Sequence, residues 1–440
     1  MKRFLLFLSF IVSHLSFSSV AAQSSPDADP NFYIYLCFGQ SNMEGNAQPE
    51  TVDKQNVDAR FLMLATCDFS SPKRTTGEWY KATPPIVNPW GGLGMADYFG
   101  RTMVAALPTN VKVGVVDVAI GGIAIEGFMP DKIAGILAKA EAWQAERIRA
   151  YGSNPYQRLV DMGKKAQEVG IIKGVLLHQG CSNNGDPNWP NNVKKIYNNM
   201  LSDLGLSADS VPLFAGETLR QDQGGSCYAH NTQVNRLPEV IPTAHVISSL
   251  GCPGNGVDPW HFNNVGYRVM GKRYAYAALQ TMGLETKVNP DYQMPDALRR
   301  FYAVREIDKI NDLKIAAGYS RKITTYKGTF KDNHKEDLIG ETTFSSDDFQ
   351  MSGNMILTTE DQNVIGIVTA TYTDFMGTVW TQDITVATGT MRSIQGVEAD
   401  DETLDMPVYT LLGVKVATGK EWNSLPGGLY VLNGRIIRKP

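Results

Sequence analysis

The chain has 440 residues, 43% of them hydrophobic and 20% charged, with a formal charge of −4. That length exceeds one ordinary domain and leaves ample apolar material for a large core. A mildly acidic balance without basic clusters excludes a nucleic-acid partner.

Met1-Lys2-Arg3 leads into a mostly apolar run from Phe4 to Phe17, then Ser18-Ser19-Val20-Ala21-Ala22. That is the layout of a secretory leader over residues 1–22, with cleavage expected after Ala22. Ser9, Ser13 and His14 interrupt the run, which is short for a membrane anchor. No later segment has the uninterrupted apolar length of a spanning helix, so no membrane span is expected in the mature form. Removing Lys2 and Arg3 with the leader takes the formal charge to −6. The expected location is outside the cytoplasm: periplasmic, cell-surface or extracellular. Five cysteines (Cys37, Cys67, Cys181, Cys227, Cys252) permit at most two internal disulfides there, with no pairing specified. No C-x-x-C occurs and the histidines are scattered, so no metal site is expected.

From Phe32 to about Gly283, short β-branched runs alternate with helical stretches, the pattern of a parallel sheet flanked by helices. Strands are expected at Tyr33–Phe38, Val113–Ala119, Gly174–His178, Pro212–Ala215 and His245–Ser248. Helices are expected near Asp131–Arg149, Tyr156–Glu168, Asn191–Leu204 and Asn264–Met282. Ligands of such sheets bind beyond the carboxyl ends of the strands. The chemistry is therefore expected in the loops Gly39–Gly45, Gly121–Glu126, Gln179–Gly185 and Gly251–His261.

Past Asn289 the character changes. Asn289-Pro290 and Met294-Pro295 read as a linker, and alternating runs such as Val364–Tyr372 and Thr378–Thr388 give Tyr302–Thr390 the pattern of a small antiparallel β domain. An acidic segment, Glu398–Asp405, precedes a last apolar stretch. The expected division is a leader (1–22), an α/β domain (23–288), a β-rich accessory domain (296–395) and a tail (396–440).

Gly39-Gln40-Ser41-Asn42-Met43 follows the first strand directly and sets a serine hydroxyl at its carboxyl end, where a nucleophile meets an incoming acyl carbon. Gly-x-Ser alone is usually a turn, so it needs partners. They come as Asp258-Pro259-Trp260-His261. An Asp three residues before a His in a loop can reach the imidazole Nδ1–H and leave Nε2 free to take a proton from the serine. Ala119-Ile120-Gly121-Gly122-Ile123 offers glycine N–H groups to an oxyanion, and the Gln179 amide in His178-Gln179-Gly180 is a further candidate donor. Gln40, Asn42 and Trp260 are expected to touch substrate. Of the loop aromatics Trp79, Tyr80, Trp90, Trp189 and Trp260, one or two are expected to stack on a sugar. Cys37, inside the first strand, reads as a core thiol.

Gly-Gln-Ser-Asn-Met, Gly-Gly, His-Gln-Gly and Asp-x-x-His, in this order over roughly Phe32–Gly283, resemble the sialate O-acetylesterase-like branch of the SGNH hydrolases. That branch includes acetylxylan esterases of carbohydrate esterase family six. The resemblance implies a flavodoxin-like three-layer α/β/α sandwich and a Ser41–His261–Asp258 triad. It also implies oxyanion donors from the Ser41 N–H, Gly122 and Gln179, and no cofactor. The implied activity is removal of O-acetyl groups from carbohydrate, acetylated xylan or a related plant glycan, through an acetyl-serine. Members commonly carry His-Gln-Gly-Glu-Ser. Here Cys181 stands in the acid's place, leaving Asp258 as the one nameable orienter of His261.

Other ester substrates stay open, among them a sialate, a pectin or a lipid. From a different class, a catalytically silent carbohydrate-binding protein would show Ser41 and His261 beyond hydrogen-bond reach. The Leu425-Pro426-x-Gly-Leu-Tyr-Val run resembles the C-terminal sorting tails of proteins secreted by Bacteroidetes-type bacteria, the alternative being a hairpin that closes the second domain.

Overall fold

The computed structural model describes residues 25–284, 288–359 and 363–389, and parts of 407–439. The expected leader over residues 1–22 and the acidic segment Glu398–Asp405 lie outside the described residues.

A seven-stranded sheet centres the first unit. Its strands are β1 (Phe32–Gly39), β2 (Phe61–Leu64), β5 (Trp79–Lys81), β6 (Lys112–Ala119), β7 (Ile171–His178), β8 (Leu213–Gly216) and β9 (Ala244–Ile247). A two-residue-strand hairpin, β3 (Phe69–Ser70) and β4 (Lys73–Arg74), lies between β2 and β5 in the chain. The spatial order is β5-β2-β6-β1-β7-β8-β9, parallel throughout except for β5 at the edge. The central strands are buried over nearly their whole length, which is why they read as continuous apolar runs.

The helices are α1 (Ser41–Glu44), α2 (Thr51–Lys54), α3 (Met95–Ala106), α4 (Ile133–Leu137), α5 (Ala142–Ala150), α6 (Pro155–Gln167), α7 (Trp189–Leu204), α8 (Asn231–Val234), α9 (Leu237–Val240), α10 (Asn264–Thr281) and α11 (Asp296–Tyr302). α3 and α10 cover one face of the sheet, with Phe99 of α3 edge-on to Tyr35. α6 and α7 cover the other, with Gly163 of α6 against Leu204 and Leu36. The unit is an α/β/α sandwich: the sheet flanked by helices that the sequence pattern predicts, in the three layers that the resemblance implies. α10 can approach α3 closely because Gly271 has no side chain: a Cβ there would lie 2.4 Å from the Met95 carbonyl oxygen.

Among the elements that escaped the sequence reading are β2, β5 and α3, and one expected helix changed. β2 and β5 hold four and three residues, too short for a period to show. α3 is buried at every position except Ala106, so it lacks the polar stripe that marks a surface helix. The helix expected over Asp131–Arg149 divides into α4 and α5. Nothing in Ala138-Lys139-Ala140-Glu141 opposes a helix by propensity, so tertiary contacts set the break.

Beyond α11 the chain is β-rich, with short strands from Val304 to Gly389 around a second apolar cluster that includes Tyr326, Phe330, Ile356, Val368 and Ile384. Its longest pair, Ile365–Thr373 with Val379–Gly389, is antiparallel. Leu313–Ala316, however, joins Val379–Gly389 in parallel, unlike the all-antiparallel expectation. Leu298, Phe301 and Tyr302, placed with this unit on sequence, pack into the first core instead. The last strands, Pro407–Thr410, Lys415–Thr418, Gly428–Leu432 and Arg435–Lys439, form a four-stranded sheet of their own.

The two cores meet at α10. Lys272 donates to both carboxylate oxygens of Glu336, at 2.6 and 2.7 Å, and both side chains are almost wholly buried. His334 completes the group through Glu336 Oε1 at 3.0 Å. Burial alone would raise the Glu336 pKa, but Lys272 and His334 outweigh it and hold it at about 2.

Removing the cation while leaving this carboxylate buried is expected to cost about 3–5 kcal/mol. Lys272→Met should therefore shift the denaturant midpoint strongly, and adding Glu336→Leu should recover much of the loss. The Glu336 pKa lies below its unfolded value of about 4.3. Its stabilisation is thus fully present above that value and lost as pH falls toward about 2, which an acid titration of Lys272→Met against wild type would show as a missing transition.

Candidate active site

Ser41 stands where β1 gives way to the single turn α1. The turn is possible because residue 39 is glycine: a Cβ there would sit 2.2 Å from the His178 carbonyl oxygen, with φ at +154°. The Gln40 N–H donates to that same carbonyl at 3.1 Å, which locks the end of β1 to the end of β7. Ser41 is the first residue of its helical turn, so its N–H has no intrahelical acceptor. Among the described residues, none takes it.

The β6 end lies alongside, with Gly39 paired to Ala119 and the Ile120 N–H bonded to the Gly39 carbonyl at 3.2 Å. The chain then turns through Gly121 and Gly122, the latter at φ +67°. The Gly122 N–H is likewise without an acceptor among the described residues. Its carbonyl receives the Ser182 hydroxyl at 2.9 Å.

The histidine arrives on the loop after β9. Asp258 organises that loop: Oδ1 accepts from the Trp260 and His261 N–H groups at 2.8 and 3.0 Å, and Oδ2 accepts from Asn255 Nδ2 at 2.9 Å. Oδ2 also lies 2.8 Å from His261 Nδ1. The other ring nitrogen, Nε2, lies 2.8 Å from Ser41 Oγ. Burial raises the Asp258 pKa, but the bonds from His261, Asn255 and Trp260 outweigh it and leave it at about 2, so the carboxyl is charged at any ordinary pH. With Asp258 accepting at Nδ1, the proton of a neutral His261 belongs on Nδ1 and Nε2 faces the hydroxyl as acceptor.

The His178 ring, two strands away from the His261 loop, donates from Nε2 to the Glu217 carbonyl at 2.9 Å. Burial lowers its pKa to about 4, so it is a neutral packing group.

Several expected substrate contacts are spent elsewhere. The Gln179 amide gives its two hydrogens to the Ile123 carbonyl at 3.2 Å and Asn183 Oδ1 at 2.8 Å, while its oxygen takes the Trp189 indole N–H. No hydrogen remains for an oxyanion. Gln40 Oε1 accepts from the Gly180 and Ser182 N–H groups at 3.0 and 3.3 Å. The Asn42 amide donates to the Trp260 carbonyl at 3.0 Å and accepts from Tyr267 Oη at 2.6 Å. Gln40 Oε1 and the Asn42 amide therefore bolt the loops together, while Gln40 Nε2 has no acceptor among the described residues and stays available to substrate. Trp189 is fully buried and Trp79 packs on Phe32. Trp260, beside His261, keeps 47% of its surface exposed.

Cys181, in the acid's place, neighbours Cys227. The hydrogen bond between the two thiols, and then burial, push the Cys181 pKa well up, so it keeps its proton. It neither carries charge nor contacts His261 Nδ1, which Asp258 occupies.

A feature missed on sequence lies on α5. Arg147 reaches Glu44 Oε2 at 2.9 Å, and its guanidinium sits 5.0 Å from the Trp143 ring and 5.7 Å from that of Trp90. Glu44 is three residues past Ser41 and also accepts from Asn88 at 2.8 Å. The cue was an aromatic and a cation four apart on one helix face, too common to stand out.

A family model described as carbohydrate esterase, sialic acid-specific acetylesterase, matches residues 31–280, more than half of the chain. The chain belongs to this family. It is accordingly a carbohydrate O-acetylesterase. Solved structures similar to it include NanS (17% identity, 58% of this chain and 98% of that one, TM-score 0.45). A carbohydrate acetylesterase from Xanthomonas citri is similar at 18% identity over 82% of this chain and 81% of that one, with a TM-score of 0.42. So is a protein from Arabidopsis thaliana (21% identity, 57% and 99%, TM-score 0.43). The assignment rests on the family match, which spans all four blocks from Ser41 to His261.

In this sialic acid-specific acetylesterase relative, Gln179→Ala separates a bracing amide from an oxyanion donor. Bracing predicts a stability loss of about 1–3 kcal/mol, from buried partners left unpaired. It also predicts that turnover of the folded enzyme falls by less than the roughly 10²–10³ of a lost oxyanion donor. Denaturation midpoints and single-substrate turnover on p-nitrophenyl acetate check both.

Proposed function

We propose that this O-acetylesterase works through an acetyl-Ser41 intermediate on a neutral acetylated glycan, xylan or a related plant polysaccharide. The observation that carries the reading is the unbroken line Asp258–His261–Ser41, with 2.8 Å at each step. His261 Nε2 takes the hydroxyl proton as Ser41 Oγ attacks the acetyl carbonyl. The oxyanion forms beside the Ser41 and Gly122 N–H groups, which have no acceptor among the described residues. Asp258 stabilises the imidazolium without taking its proton. The proton passes to the departing sugar oxygen, and a water activated by the same histidine then releases acetate. A silent binding protein would have no reason to keep serine and histidine in contact.

The preference for a neutral sugar rests on charge. The cation beside the Gly121–Gly122 turn, Arg147, is paired through Nη1 with Glu44, which offsets the charge it would present to a sialate carboxylate. The sialate reading keeps one support of its own, the family's description. Export is part of the proposal, and the leader pattern of residues 1–22 supports it.

Ser41→Ala is expected to fold normally and lose at least three orders of magnitude in turnover, and Asp258→Asn to lose about 10³–10⁴. Acetate release from acetylated xylan, O-acetylated sialic acid and acetylated pectin, measured side by side, decides the sugar. A clear preference for the sialate would reverse the charge reasoning.

A further inference from the structure

We propose that Trp143 is the stacking platform for the sugar ring that carries the acetyl group, a binding role that rests on the esterase reading above.

The placement comes first. α5 lies directly against the glycine turn: a Cβ on Gly122 would be 3.5 Å from Trp143 Cη2 and 3.3 Å from Gln144 Nε2. A Cβ on Gly121 would be 2.8 Å from Arg147 Nη1. Gln144 Nε2 donates to the Gly121 carbonyl at 3.0 Å, fastening the helix to the turn. The indole therefore borders the N–H group that faces the reacting carbonyl.

Its orientation is held from below. Arg147, one helical turn on, lies between the Trp143 and Trp90 rings and is tied to Glu44, which belongs to the same short helix as Ser41. Arginine over an indole face is an attractive contact, and the ion pair fixes where that arginine can be. Trp143 is thus a positioned side chain.

Yet 47% of its surface faces solvent. α5 sends Ala145 and Ile148 into the core, so the helix does not need this indole for packing. A large, fixed, exposed aromatic beside a catalytic serine is suited to a ligand that is flat and apolar on one side and polar at its rim. A pyranose ring is such a ligand: its axial C–H face covers the indole, and its hydroxyl edge can meet Gln144. Trp260, equally exposed, approaches from the histidine side of Ser41, so the two indoles border the serine from the β6 and β9 loops. A small acetyl ester without a sugar ring has nothing to lay on Trp143.

The test compares substrates on full-length wild type, Trp143→Ala and Trp143→Phe. The probes are acetylated xylo-oligosaccharide, O-acetylated sialic acid and p-nitrophenyl acetate, with kcat and KM measured for each. For the acetylated sugar that wild type cleaves better, the expected result in Trp143→Ala is a fall of about tenfold or more in kcat/KM relative to that for p-nitrophenyl acetate. The fall should lie mainly in KM, as loss of uniform binding requires, and Trp143→Phe should recover part of it. Equal losses on sugar and nitrophenyl ester would show that Trp143 only buttresses the glycine turn. No loss on the sugar would show that the ring lies elsewhere. Either outcome overturns the platform while leaving the esterase reading intact, whereas a wild type inactive on all three probes would overturn both.

Discussion

A 2.8 Å contact between Ser41 Oγ and His261 Nε2 joins two loops 220 residues apart, and much of the first unit is arranged to hold it. Gly39 lets β1 end against the His178 carbonyl. Gln40 ties the serine turn to the Gly180–Ser182 loop, and Asn42 ties it to the backbone of the histidine loop. The residues on either side of the nucleophile are thus the clamps that set its distance from the base. Supporting groups of this kind decide whether a constellation is held within tolerance.

Burial sorts the ionisable groups around that contact. Asp258 is partly exposed and richly hydrogen bonded, and stays ionised. His178, sealed under the same loops, is driven neutral. Asp117, in β6, is buried with neither carboxyl oxygen bonded among the described residues, and burial raises its pKa well above the usual range. Asp258 is therefore left ionised beside His261 while Asp117 and His178 are held neutral, a sorting by environment rather than by residue type. Glu44 shows a mixed case: burial raises it while Arg147 and Asn88 pull it back. Its bond to Arg147 carries the serine helix's influence outward to Trp143.

Much of this was legible in the sequence because it is local. The long buried strands announce themselves as β-branched runs, and Asp258 and His261 fall within one loop whose spacing already implies their bond. What was not legible is settled by partners distant in the chain. Gln179 reads as a free amide until Ile123, 56 residues away, takes one of its hydrogens. Gln40 Oε1 and the Asn42 amide read as free for substrate until their bonds 140 and 218 residues away are seen. Trp189 was legible as an aromatic but not as a fully buried one, and Trp143 looked like any helix-surface residue. Donor and acceptor types can be read from sequence, but their availability depends on tertiary pairing.

The central claim is that Ser41 carries the acetyl group between sugar and water. Mixing the enzyme with excess acetylated oligosaccharide, quenching with acid within the first turnovers and mapping the peptides by mass spectrometry tests it directly. The account predicts a mass increase of one acetyl group on the peptide containing Ser41, lost on longer incubation once substrate is exhausted and absent from Ser41→Ala. Acetate release by an enzyme that never shows acetyl on Ser41, or that turns over normally in Ser41→Ala, would contradict it.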